Sequence, residues 1–194
     1  TLRIIEGKSG KKMRNETSNK IFFMKEERPR NPYNIPKEES DEVIPYKLPT
    51  SFNDFILAGD FHIPNHRTEP INAMMKYAKE KGIRQLFING DLLDNTPFTR
   101  WQAEPLNRDD PKRWFDMAED MLKMFKKHFD TVYWLEGNHD YWYQRWLLQN
   151  AAKLYDDPYY KLEQRLHLKE IGVTYIPQKY IVKAGHLNII HGHL

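Results

Sequence analysis

From residue 51 onward, short apolar runs alternate with longer segments in which apolar residues recur every three or four positions. Short apolar runs bounded by Gly, Asn and Asp are typical of buried strands, and the longer spacing is typical of helices that pack one face on a sheet. The runs predict strands at 55–58, 85–89, 131–135, 173–176 with 180–182, and 187–190.

Two helices are predicted between the first three strands. The first opens near Glu69-Pro70, where proline suits a first-turn position, and it ends at Gly82. The second begins at Asp110-Pro111, and a helix-rich region is expected over roughly 142–170. Strands that alternate with helices in this way predict parallel βαβ units and therefore an α/β fold.

Residues 1–50 have a different composition. They hold five of the 12 prolines, and all of the net charge of +3 falls within them, since basic and acidic residues are equal in number in 51–194. Such a segment is typical of a linker or of an arm that packs on another surface. We therefore predict an N-terminal arm or linker over 1–50 and one domain over 51–194.

Composition excludes several classes of protein. No apolar run approaches the length of a transmembrane helix, and the mean hydropathy is −0.80. No secretory signal pattern opens the chain. Cysteine is absent, which excludes disulfides and thiolate metal sites. These features predict a cytoplasmic protein with no membrane partner.

Metal-binding residue types follow four of the predicted strands. Because the carboxyl ends of parallel strands meet at one edge of a sheet, these side chains are expected to converge. Their nitrogen and oxygen donors suit Mn²⁺, Fe, Zn²⁺, Co²⁺ or Ni²⁺ better than an all-oxygen Mg²⁺ or Ca²⁺ site. The residues are, in chain order, Asp60 and His62, Asp91 and Asp94, Asn138 and His139, and His191.

In this order, the motifs resemble those of the calcineurin-like metallophosphoesterase superfamily. They are Asp60-Phe61-His62, Gly90-Asp91-Leu92-Leu93-Asp94, Gly137-Asn138-His139-Asp140 and His191. Arg100-Trp101 and the charged loop 109–113 are particularly similar to a bacterial and bacteriophage branch. The resemblance implies two β-sheets flanked by helices, in an αββα sandwich, and hydrolysis of a phosphoester with two divalent metal ions, manganese first among them.

The resemblance also implies a set of metal ligands. Asp60 and His62 would bind the first metal ion, and Asp91 would bridge the two ions. Asn138 and His191 would bind the second ion.

The remaining site residues would act on the substrate. By the resemblance, His139 would stabilise the transition state or protonate the leaving oxygen, and Asp140 or Asp94 would orient it. Arg100 and Arg145 are candidates for holding the substrate phosphate through bidentate contacts.

Aromatic residues crowd the segment 141–146, directly after the His139 motif. Aromatic rings interleaved with Arg can stack on nucleic-acid bases. Packing of these rings between a helix and the sheet is the alternative, and it is the more frequent use of large aromatic residues.

One family motif is missing, since the Gly-His-x-His sequence that follows His191 in the family is not found before Leu194. We therefore expect the domain to be incomplete at its C-terminus. A phosphodiesterase or nuclease is the first expectation for its function. The alternatives are a phosphomonoesterase acting on nucleotides or phosphoproteins, and a non-catalytic interaction or virion-associated protein that keeps the fold. Asn95, where protein serine/threonine phosphatases commonly have Arg, disfavours that activity.

Overall fold

A computed structural model describes residues 33–36, 44–99, 110–178 and 180–192. The chain divides into two units, Thr1–Asp41 and Glu42–Leu194. All the strands and helices described below belong to the second unit.

The described part of the second unit contains seven strands and six α-helices. The strands are β1 (Tyr46–Lys47), β2 (Ile56–Ala58), β3 (Gln85–Asn89), β4 (Thr131–Leu135), β5 (Val173–Ile176), β6 (Val182–Ala184) and β7 (Leu187–Ile189). The helices are α1 (Thr68–Lys81), α2 (Pro111–His128), α3 (Asn138–Asn150), α4 (Ala152–Tyr155), α5 (Leu162–Arg165) and α6 (Leu168–Ile171). Two 3₁₀ turns, Thr96–Phe98 and Pro158–Tyr160, complete the set.

The first sheet has four parallel strands in the order β2-β3-β4-β5. Its strands follow one another in the chain, with α1 between β2 and β3 and α2 between β3 and β4. All four carboxyl ends therefore lie at the same edge of the sheet, where an open α/β sheet binds its ligands. The second sheet has the order β1-β6-β7, with β1 parallel to β6 and β7 antiparallel to it.

Two clusters of buried side chains hold these layers together. Successive residues of a strand point to opposite faces, so Leu86 and Ile88 of β3 join the cluster shared with the helices, whereas Phe87 joins a second cluster. That second cluster also contains Val182 and Ile189, so it packs the two sheets against each other. This mixed α/β arrangement, with two sheets flanked by helices, confirms the predicted fold class.

The structure differs from the sequence prediction at three elements, of which the first is the strand predicted over 173–176 with 180–182: it is two strands, β5 (Val173–Ile176) and β6 (Val182–Ala184), in different sheets. Tyr46–Lys47 lies within the predicted arm but forms β1, because these residues pair with the distant strand β6. The third helix begins at Asn138, not near 142, and the region up to 171 is broken into four short or medium helices.

None of the described helices has the length and apolarity needed to cross a membrane.

Candidate metal centre

The loops that follow β2 and β3 present the first group of predicted site residues. They extend the pairing of the two strands through backbone hydrogen bonds from Asp60 N to Gly90 O (3.1 Å) and from His62 N to Asp91 O (3.0 Å). Three of these residues adopt left-handed backbone conformations, with φ of 56° at Asp60, 52° at His62 and 51° at Asp91. Such conformations cost on the order of 1 kcal/mol or more each and are concentrated at functional sites.

Asp91 is the residue at which the candidate ligands meet. Its side chain is only 5% exposed. Its Oδ2 atom lies 3.8 Å from Nε2 of His62 and 3.3 Å from Nε2 of His191. Oδ1 of Asp60 lies 3.8 Å from His62 Nε2, and ligand atoms of Asp60, Asp91 and His191 all lie within 4.8 Å of one another. Oδ1 of Asn138 lies 3.0 Å from His191 Nε2, and we call Asp91, Asn138 and His191 the second group.

The second group is a set of acceptors that face one another. Nδ1 of His191 lies 2.8 Å from the backbone oxygen of Asn89, and because a carbonyl can only accept, Nδ1 carries the proton. In the neutral ring Nε2 is then an acceptor, and it faces the oxygens of Asn138 and Asp91. Three acceptors this close repel one another unless a proton or a metal ion lies between them. These donor atoms therefore fit a divalent metal ion. The hydrogen bond from His191 Nδ1 to a backbone oxygen is one that metal-binding histidines usually make with the nitrogen that does not bind the metal.

Asp94 holds the two histidines on the other side of the site. Its Oδ1 lies 3.3 Å from Nδ1 of His62 and 3.4 Å from Nδ1 of His139, and its Oδ2 accepts from Thr96 (2.7 Å) and Asn65 (2.8 Å). Burial on its own would raise the pKa of Asp94, but the hydrogen bonds from His139, Thr96 and His62 outweigh it and lower that pKa to about 2. His62, Asp94 and His139 could themselves hold an ion. We favour an orienting role for Asp94, since it leaves Nε2 of His62 facing Asp60 and Asp91.

Asp140 lies beneath the site and is fully buried. Its carboxylate accepts hydrogen bonds from Leu93 N (2.9 Å), Gly137 N (2.9 Å) and Trp134 Nε1 (3.2 Å). Burial raises the pKa of Asp140 to about 7, against the lowering effect of the two backbone N–H groups. These contacts tie the loop after β3 to the loop after β4, whereas the ring contact of His139 is made by Asp94.

Two contacts at the site were not anticipated from the sequence. Asn95 is 1% exposed, and its Nδ2 donates to the backbone oxygens of His139 (3.0 Å) and Asp140 (3.3 Å). Trp142 stacks on the His139 ring, with centroids 3.9 Å apart and planes 29° from parallel. The contact between Trp142 and His139 could have been found from their spacing, because residues three apart on a helix are neighbours.

Of the two predicted substrate-binding arginines, the structure describes only Arg145. Arg100 lies outside the described residues, as does His193. Arg145 lies on α3, half-buried, in the second turn after Asn138.

Gly90 gives a direct test of how closely His191 is packed. A Cβ atom at residue 90 would lie 2.2 Å from Nδ1 of His191, and Gly90 has a φ of +76°. We expect Gly90→Ala to displace the His191 ring and to reduce the metal content of the protein severalfold, measured by elemental analysis after dialysis. Overpacking of this kind also destabilises a protein, typically by about 1–3 kcal/mol.

Gly82→Ala is the matched control for this variant. Gly82 also has a left-handed φ of +68°, but a Cβ atom there would meet no atom within 4 Å. The control therefore has the same type of backbone cost without the clash. Equal metal content in the two variants would contradict a role for His191 as a metal ligand.

Comparison with known families agrees with this geometry. The family described as calcineurin-like phosphoesterase matches residues 54–194, a segment that contains every predicted site residue. No curated protein matches the sequence.

Proposed function

The chain belongs to the calcineurin-like phosphoesterase family, and we propose that it is a phosphodiesterase or nuclease that uses two divalent metal ions, with manganese as the first candidate. Membership of this family supports metal-dependent hydrolysis of a phosphoester. The identity of the ester and of the metal are our proposals.

The shared oxygen of Asp91 is the observation that carries the proposal. Oδ2 of Asp91 lies 3.8 Å from Nε2 of His62 and 3.3 Å from Nε2 of His191, and ligand atoms of Asp60, Asp91 and His191 lie within 4.8 Å of one another. By the family resemblance, Asp60 and His62 would hold one ion, Asn138 and His191 would hold the other, and Asp91 would serve both. When bound, two such ions acidify water and neutralise charge on the attacking and leaving oxygens of a phosphoryl group.

The protein itself supplies a proton donor beside these residues. Nδ1 of His139 donates to the backbone oxygen of Asp94 at 2.8 Å, so Nε2 is the nitrogen available to a substrate. Burial alone would lower the pKa of His139, but its contacts with Asp94 and the charge of Asp91 outweigh burial and raise that pKa. A histidine with a raised pKa keeps its proton to higher pH, which suits protonation of a leaving oxygen or stabilisation of charge on it.

Asn95 counts against a protein serine/threonine phosphatase, because those enzymes commonly have Arg at this place. Here the side chain is buried and its amide is used by the backbone of His139 and Asp140. Arg100 and Arg145 remain our proposals for contacts with the substrate phosphate, and nucleic acid remains a proposed partner.

The lack of cysteine supports a reducing compartment, and we place the protein in the cytoplasm on that ground.

The proposal is tested by hydrolysis of defined esters by metal-stripped protein to which Mn²⁺, Zn²⁺ or Ni²⁺ is restored. Bis(p-nitrophenyl) phosphate, p-nitrophenyl phosphate, nicked DNA and single-stranded RNA form the substrate set. We expect metal-dependent cleavage of the diesters to exceed that of the monoester. Preference for the monoester would favour a phosphomonoesterase, and metal binding without any hydrolysis would favour a non-catalytic protein.

The stacked Trp142 is expected to position His139. Replacing Trp142 by leucine should lower kcat roughly 3- to 10-fold, the range expected for loss of one aromatic contact, and leave KM and metal content unchanged. The effect should disappear in a His139→Asn background, because the ring that Trp142 positions is then absent. Trp146→Leu is the control, since that ring contacts Phe98 instead. An equal loss of kcat in both backgrounds would contradict the positioning role.

A further inference from the structure

Three contacts from one short loop hold His139, the proposed proton donor. Its backbone N–H donates to Oδ1 of Asp91 at 3.0 Å, and its ring Nδ1 donates to the backbone oxygen of Asp94 at 2.8 Å. Its backbone oxygen accepts from Nδ2 of Asn95 at 3.0 Å. The backbone and the ring of His139 are therefore tied to residues 91–95, the loop that also carries the carboxylate proposed to bridge the metal ions.

Asn95 makes its contact from a buried position. The residue is 1% exposed, and its Nδ2 donates a second hydrogen bond to the backbone oxygen of Asp140 at 3.3 Å. Its Oδ1 has no hydrogen-bond partner among the described residues. Burial of an amide costs free energy that its hydrogen bonds must offset, and both of the bonds described here go to the first turn of α3. The side chain is therefore placed to fix that turn.

The two carbonyl groups do not depend on Asn95 for a partner. His139 and Asp140 lie in the first turn of α3, where a helical carbonyl accepts from the N–H group four residues further on. A carbonyl oxygen has two lone pairs, so the bonds from Asn95 add to those of the helix. Loss of the amide would thus leave the helix bonded and remove a constraint on where its first turn lies.

The backbone at residue 95 limits which side chains can make this contact. Asn95 has a left-handed conformation, with φ of 50° and ψ of 25°. Glycine adopts this conformation without a steric cost, and asparagine and aspartate adopt it more readily than most other residues. Of these three residue types, only asparagine has a side-chain N–H that can donate to a carbonyl. The residue type therefore suits both the backbone and the contact.

We propose that Asn95 is a positioning residue, which holds the first turn of α3 so that Nε2 of His139 meets the leaving oxygen of the substrate. The proposal rests on the proposed function and deepens it, because it names the side chain that sets the place of the proton donor. Asn95 would act through His139 and not on the substrate itself.

The dependence of the rate on the leaving group tests this role. Phenolate is more basic than p-nitrophenolate, so its departure depends more on a proton donor. Asn95→Gly and Asn95→Asp both fit the backbone and lack the N–H donor. In the manganese-loaded full chain, each should lower kcat for diphenyl phosphate roughly 10- to 100-fold, and kcat for bis(p-nitrophenyl) phosphate by a factor at least about three times smaller. KM and metal content should stay unchanged.

Asn150→Asp is the matched control for these variants. Nδ2 of Asn150 also donates to a backbone oxygen of α3, that of Trp146 at 2.9 Å, but at the opposite end of the helix from His139. The substitution removes the same kind of bond there and should leave both kcat values unchanged. Circular dichroism checks that each variant is folded. Asn95→Asp keeps the shape of the side chain, so it keeps the test decisive if Asn95→Gly does not fold.

The ring of His139 gives a readout that needs no catalysis. At a pH where the ring is neutral, nitrogen NMR of the metal-free full chain shows which ring nitrogen carries the proton, and His139→Asn identifies the signal. The wild-type protein should hold the proton on Nδ1, which donates to the backbone oxygen of Asp94. Both Asn95 variants should show a mixture of the two tautomers, and Asn150→Asp should not.

The outcomes separate this proposal from the proposed function. If the wild-type protein cleaves the diesters, a ratio of the two kcat values that changes in the Asn95 variants and not in Asn150→Asp supports the positioning role. An unchanged ratio, or an equal change in Asn150→Asp, overturns it. If the wild-type protein cleaves neither diester, the proposed function fails and the tautomer decides. A mixture in the Asn95 variants then supports the hold on His139, and a proton on Nδ1 alone overturns it.

Discussion

Replacement of Asp91 by asparagine is expected to lower metal-dependent hydrolysis on the order of 10³-fold, comparable to the loss of one strong preorganised electrostatic contact. Oδ1 of Asp91 accepts from the backbone N–H of His139 at 3.0 Å, and Oδ2 lies 3.8 Å from Nε2 of His62 and 3.3 Å from Nε2 of His191. An amide keeps the first bond only if its NH₂ group points toward the place of the cations, where it repels them. Metal content should therefore fall together with the rate.

Asp116→Asn is the matched control for this variant. Asp116 lies on the surface of α2 in an ion pair with Lys112, and exposed pairs contribute little to stability. The control should keep both metal content and activity. Full metal content in Asp91→Asn, measured by elemental analysis, would contradict the bridging role that we propose for this carboxylate.

Replacement of Asp140 by asparagine is expected to destabilise the fold by about 1–3 kcal/mol. Three donors converge on the two carboxylate oxygens of Asp140, from Leu93, Gly137 and Trp134. Asparagine has one oxygen, so its NH₂ group must face at least one of these donors in a fully buried position. Urea unfolding of the metal-free proteins measures the difference, and an unchanged midpoint would contradict the bonding described.

The same pair of proteins gives a pH dependence. The pKa of Asp140 is about 7 in the folded protein, above its ordinary value of about 4, so the folded state binds more protons between those two values. The stabilising contribution of this group is therefore complete below about pH 4 and is lost as pH rises through about 7. The advantage of the wild-type protein over Asp140→Asn should shrink over that window, and an advantage that grows would contradict the raised pKa.

The long elements could be predicted from the sequence because their signals are local. Strands β3 and β4 are continuous apolar runs, and α2 has apolar residues at helical spacing, so the pattern alone gives their positions within one or two residues. The start of α3 was misplaced because Gly137 and Asn138 are typical turn residues. In the structure, the carboxylate of Asp140 bonds to Gly137 N and completes the first turn there.

At the site, too, the sequence predicts the residues but not the contacts that orient them. The motifs bring the right residue types to the ends of the strands, and the structure places Asp60, His62, Asp91, Asn138 and His191 within one group of contacts. What the motifs could not reveal is how the rings are held. The proton on His191 Nδ1 is fixed by a backbone carbonyl, which leaves no mark in the sequence.

Strand β1 sets a limit on how small a folding fragment of this protein can be. The family match begins at residue 54, but Tyr46 and Lys47 pair with β6, and Leu48 and Phe52 are buried between the sheets. A fragment trimmed to the family boundary loses an edge strand and exposes apolar surface on both sheets. A fragment that keeps this pairing must therefore include Tyr46, which lies inside the proline-rich segment whose composition resembles a linker.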